Sequence, residues 1–188
     1  MLPQIRSTLF RSAAPLRAQA VRGFRSCAPS LIQVGDSIPS VSTLREGSPG
    51  NEVDLAQLTK TGKSIIVGVP GAFSPACSAS HVPGYVKHIK EFTDKGYKIF
   101  VTAVNDSFVT KAWGDELAKD SGIRFIADPS ADFSKATELS IDATPFFGGV
   151  RNKRFVLIVE DGKVKSETVE PDNFGLDVTK AEEILKQI

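Results

Sequence analysis

The sequence predicts an α/β domain built on a mixed central β-sheet flanked by helices, and three observations predict it. Short apolar runs rich in β-branched residues, such as Ser64-Ile65-Ile66-Val67-Gly68-Val69, have the character of buried strands. They alternate three times with segments whose apolar residues recur at helical spacing, the pattern of an α/β sheet. Near the C-terminus, Asp161-Gly162 joins two further strand-like runs, a hairpin signal that adds antiparallel pairing.

In chain order, the turn cluster Gly47-Ser48-Pro49-Gly50 predicts a small hairpin formed by residues 40–44 and 52–55. Residues 64–69 are the first buried strand. Val82, Tyr85, Val86, Ile89 and Phe92 then mark one face of a single helix that ends near Gly96. A second buried strand follows at 98–104, a helix at 108–117 that stops near Gly122, and a third strand at 124–127. A short helix is expected over 131–140, strands at 154–160 and 163–169, and a final helix at 179–187 with Thr179-x-x-Glu182 as its capping box. This order matches a thioredoxin-like layout, although other small α/β folds share it.

The formal net charge of +1 over 188 residues conceals an asymmetry. Arg6, Arg11, Arg17, Arg22 and Arg25 precede the first acidic residue, Asp36; the remainder holds 18 basic against 22 acidic side chains, a net of −4. An arginine-rich, acid-free start with Ser, Ala and spaced apolar residues reads as a cleavable mitochondrial transit peptide over about residues 1–30, with Arg22-Gly23-Phe24 followed by Arg25-Ser26 resembling a processing site. The alternative is a basic tail that binds anionic surfaces. The folded domain is then expected over 33–188. No apolar run is long enough to span a bilayer as a helix. The basic cluster at 151–154 is too short, in an acidic domain, to argue for nucleic acid.

Of the two cysteines, Cys27 falls in the leader, which makes Cys77 the one thiol of the expected mature domain. That excludes an internal disulfide framework and a Cys-x-x-Cys redox pair, and with two histidines no structural zinc pattern exists. Cys77 follows a buried strand and a turn through Pro70 and Gly71, at the start of a helix. Free N–H groups and the positive end of the helix dipole converge there and favour a thiolate. Pro70 and Pro75 stiffen the loop, and the Ser74 hydroxyl is expected to donate to the sulfur or to a bound oxygen. A sulfur nucleophile among donors suits cleavage of a peroxide O–O bond. The bland alternative is an inert, buried cysteine.

Pro70-Gly71-Ala72-Phe73-Ser74-Pro75-Ala76-Cys77-Ser78 resembles the peroxidatic motif of the peroxiredoxins. With His81-Val82-Pro83-Gly84-Tyr85, Val104-Asn105-Asp106-Ser107-Phe108-Val109, Ala127-Asp128-Pro129, Arg154-Phe155 and Val169-Glu170-Pro171-Asp172, the chain after the leader looks like the type-5 subfamily. The resemblance implies that Cys77 attacks the peroxide to leave a sulfenic acid, that Pro70 shields the site and that Arg154 contacts thiolate and peroxide. Ser74 stands where the family usually has threonine. Gly71 and Phe73 fall in the expected substrate pocket. His81, four residues after Cys77, is expected either at the pocket or in a structural role; His88 reads as solvated, Trp113 as packing and Pro145 as loop punctuation. A homodimer, peroxide substrates and no bound cofactor are also implied.

Some type-5 members carry a resolving cysteine shortly after the Glu-Pro-Asp segment; here Gly175-Leu176-Asp177-Val178 holds none. The expectation is therefore a one-cysteine antioxidant peroxidase recycled by an external thiol, either glutathione with glutaredoxin or thioredoxin. A redox relay that passes oxidation from Cys77 to client proteins would use the same residues. A thiol-disulfide oxidoreductase is disfavoured by the missing Cys-x-x-Cys.

Overall fold

The computed structural model describes residues 31–188; the arginine-rich leader, its expected cleavage site and Cys27 lie outside the described residues. Among the described residues seven strands form a mixed sheet, in the spatial order Ser48–Glu52, Arg45–Glu46, Arg124–Ala127, Tyr97–Ala103, Lys63–Val69, Phe155–Glu160 and Lys163–Val169. Within it β3 (Lys63–Val69) has β4 (Tyr97–Ala103) parallel on one side and β8 (Phe155–Glu160) antiparallel on the other. β5 (Arg124–Ala127) extends the parallel side, and β9 (Lys163–Val169) closes the Asp161-Gly162 hairpin with β8.

Alternation along β3 divides the core into two layers. Ile65, Val67 and Val69 face α2 (Val82–Lys87), α3 (Ile89–Asp94), α4 (Ser107–Leu117) and α7 (Ala181–Leu185), where Tyr85, Phe92, Trp113 and Ile184 are buried. Ile66 points the other way, toward Leu55 of α1 (Leu55–Leu58) and Phe133 of α5 (Asp132–Ala136). Gly68 belongs to this second face for a steric reason: a Cβ there would stand 2.0 Å from the ring of Phe155, its partner across the sheet.

Several expected elements sit elsewhere. The N-terminal hairpin is β1 (Arg45–Glu46) with β2 (Ser48–Glu52), so three of the four expected turn residues are strand, and Gly47 at φ +70° makes the turn. β2 is an exposed edge, which needs no apolar alternation and tolerates Pro49. Leu55 opens α1 rather than ending a strand, because the Asp54 carboxylate accepts from the Ala56 amide as an N-cap. The single helix expected from Val82 is broken at His88, and its start is a π-turn, Cys77–His81. α5 ends at Ala136, and Ser140 already belongs to β6 (Ser140–Asp142), which pairs with β7 (Val150–Asn152) around α6 (Thr144–Phe147). The Thr179 capping box does not form: its hydroxyl donates to Glu170 Oε1 at 2.7 Å, and α7 starts after Lys180 without a side-chain cap.

Candidate active site

Sheet register brings the sequence-distant residues of the site together. The last β3–β8 pair is Gly68 with Phe155, so Arg154 enters the sheet beside the end of β3, where the loop to Cys77 begins. That loop turns over residues 71–74, with Phe73 at φ +60°, a conformation a bulky residue adopts only when its surroundings enforce it. Helical backbone then begins at Pro75, whose fixed φ suits a first helical position. Cys77 follows in the first turn and is fully buried.

Arg154 is 2% exposed, and all its guanidinium nitrogens are engaged. Nη1 donates to Cys77 Sγ at 3.3 Å and to His81 Nδ1 at 3.1 Å. Nε donates to the carbonyls of Gly175 at 2.6 Å and Phe174 at 3.1 Å, and Nη2 to Phe174 again at 2.9 Å. Among the described residues no carboxylate forms an ion pair with it. The acceptors at 174 and 175 belong to a loop fastened by Glu170. Glu170 Oε1 accepts from the amides of Asp177 and Thr179, each at 2.8 Å, and from the Thr179 hydroxyl. Burial pushes the Glu170 carboxyl up, but these hydrogen bonds outweigh it and hold the group below its ordinary range. Asp172 caps the same loop by accepting from the amides of Phe174 and Gly175.

His81 belongs to this site, and its partners fix its tautomer. The Thr179 carbonyl, 3.2 Å from Nε2, can only accept, so Nε2 carries the hydrogen. Arg154 can only donate, so Nδ1 offers its lone pair. Burial first, and the Arg154 charge second, push the imidazole down to about 3, and it is neutral at ordinary pH.

Pro70 is buried and lines a cavity of about 410 Å³ with Ser74, Pro75, Ala76, Phe146, Phe147, Arg154 and Phe174. The Ser74 hydroxyl does not donate to the sulfur: its proton goes to the Gly71 carbonyl at 2.9 Å, which leaves its lone pairs as acceptors. Gly71 packs so closely on Phe147 that a Cβ would stand 3.0 Å from the ring. Phe73 is half exposed and lies outside the cavity lining, because the turn directs it away. His88 is not simply solvated; it lies 2.6 Å from Glu91 Oε1 and 3.2 Å from Glu182 Oε1. Trp113 is buried, and its indole donates to the Ser78 hydroxyl next to Cys77. Pro145 lies in the first turn of α6, directly after Thr144, instead of merely punctuating a loop. The 151–154 cluster is no basic patch, since Arg151 donates to the Val104 and Phe147 carbonyls and Arg154 is buried. Sequence reasoning missed the aromatic wall of Phe146, Phe147 and Phe174; the adjacent phenylalanines in a glycine-rich stretch were its one visible signal. Among the described residues no three His, Cys, Asp or Glu side chains gather as a metal ion would require.

Residues 33–185 match the Redoxin family model. The chain is 41% identical over 161 residues to peroxisomal membrane associated protein 20 of Schizosaccharomyces pombe, an alignment covering 84% of this chain and all of that protein. It is 37% identical to peroxiredoxin-2D of Arabidopsis thaliana, covering 84% of this chain and 98% of the relative. The crystal structure of reduced Prx3 from Vibrio vulnificus in complex with hydrogen peroxide superimposes with a TM-score of 0.76 at 34% identity. That match covers 84% of this chain and 99% of the other.

Proposed function

The chain belongs to the Redoxin family and is a peroxiredoxin, a thiol peroxidase with a thioredoxin-like fold; from that premise we propose that Cys77 is its peroxidatic nucleophile and works by a one-cysteine mechanism. The observation that carries this reading is the 3.3 Å contact between Cys77 Sγ and a buried guanidinium that, among the described residues, forms no ion pair with a carboxylate. A buried cation so placed stabilises negative charge beside it, above all on the oxygen that gains charge as the O–O bond breaks. Ser74, its proton engaged by Gly71, accepts the hydrogen of the peroxide and orients it for in-line attack. Sulfur bonds to the terminal oxygen, the O–O bond breaks, and the departing oxygen leaves with a proton as water or an alcohol. Pro70 and the aromatic wall keep bulk water from the sulfenic acid.

Recovery takes two equivalents of external thiol. The first forms a mixed disulfide with Cys77 and releases water; the second restores the thiol and leaves as the oxidised disulfide. Glutathione with glutaredoxin, or thioredoxin, fills this role in the reading. It is supported by the cysteine-free segment 175–178, and the burial of Cys77 requires the loop to open for that step. The same reading includes delivery to mitochondria, supported by the five leader arginines, and a homodimer, supported by the exposed rings of Phe73 and Phe146 beside the cavity.

The test is peroxide consumption by the full chain with each reductant. Cys77→Ser is expected to abolish turnover, and residual activity in that variant would remove Cys77 from the mechanism. Slow turnover together with stable mixed disulfides to particular clients would favour the relay instead.

A further inference from the structure

Arg151 is a second arginine of the site that the peroxidase mechanism does not use. It stands on β7 opposite Ile141 and carries no carboxylate partner among the described residues. Its guanidinium forks between two main-chain carbonyls. Nη1 donates to Val104, just past the end of β4, and Nη2 donates to Phe147 at 2.9 Å. The same plane lies 5.6 Å over the Phe147 ring. Its Nε is buried without a partner, so the side chain is held by this fork and stack rather than by charge pairing.

Phe147 in turn touches both halves of the site. It closes against Gly71, at the root of the loop carrying Ser74 and Cys77, and stacks on Phe174 at 6.4 Å with 14° between the planes. The main-chain carbonyl of Phe174 accepts twice from Arg154. Phe147 and Phe174 also form the wall of the cavity that the substrate must enter.

We infer that Arg151 is a positioning residue that fixes Phe147 as the cavity wall and so determines how well the enzyme accepts hydroperoxides with a bulky apolar group. This rests on the peroxidase reading of the cavity. Hydrogen peroxide has no group to lay against the wall and needs only Cys77, Arg154 and Ser74. An aryl hydroperoxide has such a group and depends on where Phe147 is held.

The experiment measures the second-order rate constant for Cys77 oxidation by hydrogen peroxide and by cumene hydroperoxide in the full chain, Arg151→Met, Arg151→Lys and Phe147→Leu. Arg151→Met is expected to lower the cumene hydroperoxide constant about tenfold while the hydrogen peroxide constant stays within about twofold. Arg151→Lys keeps the charge but cannot fork and stack at once, and falls between. Adding Arg151→Met to Phe147→Leu should cost little more than Phe147→Leu alone, because the two act as a unit. If Arg151→Met does not fold, the lysine and Phe147→Leu variants carry the same ratio test. A ratio that does not move, or equal losses for both peroxides with a lowered melting temperature, would mean a merely structural arginine and would overturn the inference. A wild-type Cys77 unreactive toward both peroxides would instead overturn the peroxidase reading, and this inference with it.

Discussion

Arg154 makes five hydrogen bonds from three nitrogens to four acceptor atoms, and only one of those acceptors, Cys77 Sγ, is a nucleophile. The remaining contacts aim it, so geometry as well as charge is required. Arg154→Lys keeps a cation but loses the planar fork, and sulfenic acid formation is expected to slow by about 100-fold or more with the fold retained. Stopped-flow oxidation would check this, and an unchanged rate would refute the role. His81 leads to a second residue-scale prediction. It is neutral in the folded protein, with a pKa of about 3 against 6.5 ordinarily, so the unfolded chain binds the extra proton between those values. Stability from this group is therefore complete above about pH 6.5 and is lost as pH falls toward 3. His81→Gln keeps one donor and one acceptor without the titration. The urea-unfolding difference between wild type and variant should shift by up to about 4 kcal/mol across that window; parallel curves would show that the imidazole is not held neutral. Cys77, Pro70 and Arg154 were legible from local pattern and resemblance, and His81 from its four-residue spacing. The Phe174 and Gly175 carbonyls were not, because a main-chain acceptor leaves no mark in side-chain identity.

At the scale of elements, the loop from Glu170 to Thr179 does for Arg154 what a carboxylate partner does elsewhere, but through the backbone. One buried carboxylate oxygen gathers two amides and a hydroxyl, and the loop so shaped points two carbonyls at the guanidinium. Glu170→Ala strands those donors and is expected to destabilise the fold by about 2–4 kcal/mol. Peroxide reactivity should fall with it, since the Arg154 acceptors shift. Glu170→Gln retains an acceptor oxygen and should recover most of the stability, as a thermal melt would show. If Glu170→Ala reacts with peroxide at the wild-type rate, the loop does not aim Arg154. The same scale explains the sequence errors. Strands β3, β4, β5, β8 and β9 were legible because burial on both faces or a tight Asp-Gly turn leaves a strong pattern. The β6–α6–β7 insert was not, since its phenylalanines face a cavity rather than a core. The π-turn at Cys77 also lacks a signature, because one extra residue in a helical turn changes no residue type.

Across the whole molecule, the central sheet supplies a rigid platform, and the site hangs between it and the C-terminal helix. The order of alternating strands and helices made that platform readable; the docking of α7 was not readable, because it depends on contacts between segments about ninety residues apart. Two of these join α7's entry to the site, as the Thr179 carbonyl accepts from Tyr85 at 2.7 Å and from His81. The third is His88, which bridges Glu91 on α3 and Glu182 on α7. Both carboxylates accept only, so His88 holds the bridge as an imidazolium, and the hydrogen bond to Glu91 leads the effects that raise its pKa above 6.5. The sign is opposite to that of His81. The stability from this bridge is present in full below about pH 6.5 and is lost as pH rises through the higher folded value. The pair is largely solvent-screened, so His88→Ala should cost only about 0.5–1 kcal/mol at pH 6. At pH 9 the cost should nearly vanish. Urea denaturation of both proteins at the two pH values measures it, and hydrogen exchange in α7 should rise in the variant at pH 6 but not at pH 9. An equal cost at both pH values would show that His88 joins α7 to α3 by packing alone, with no ion pair across the helices.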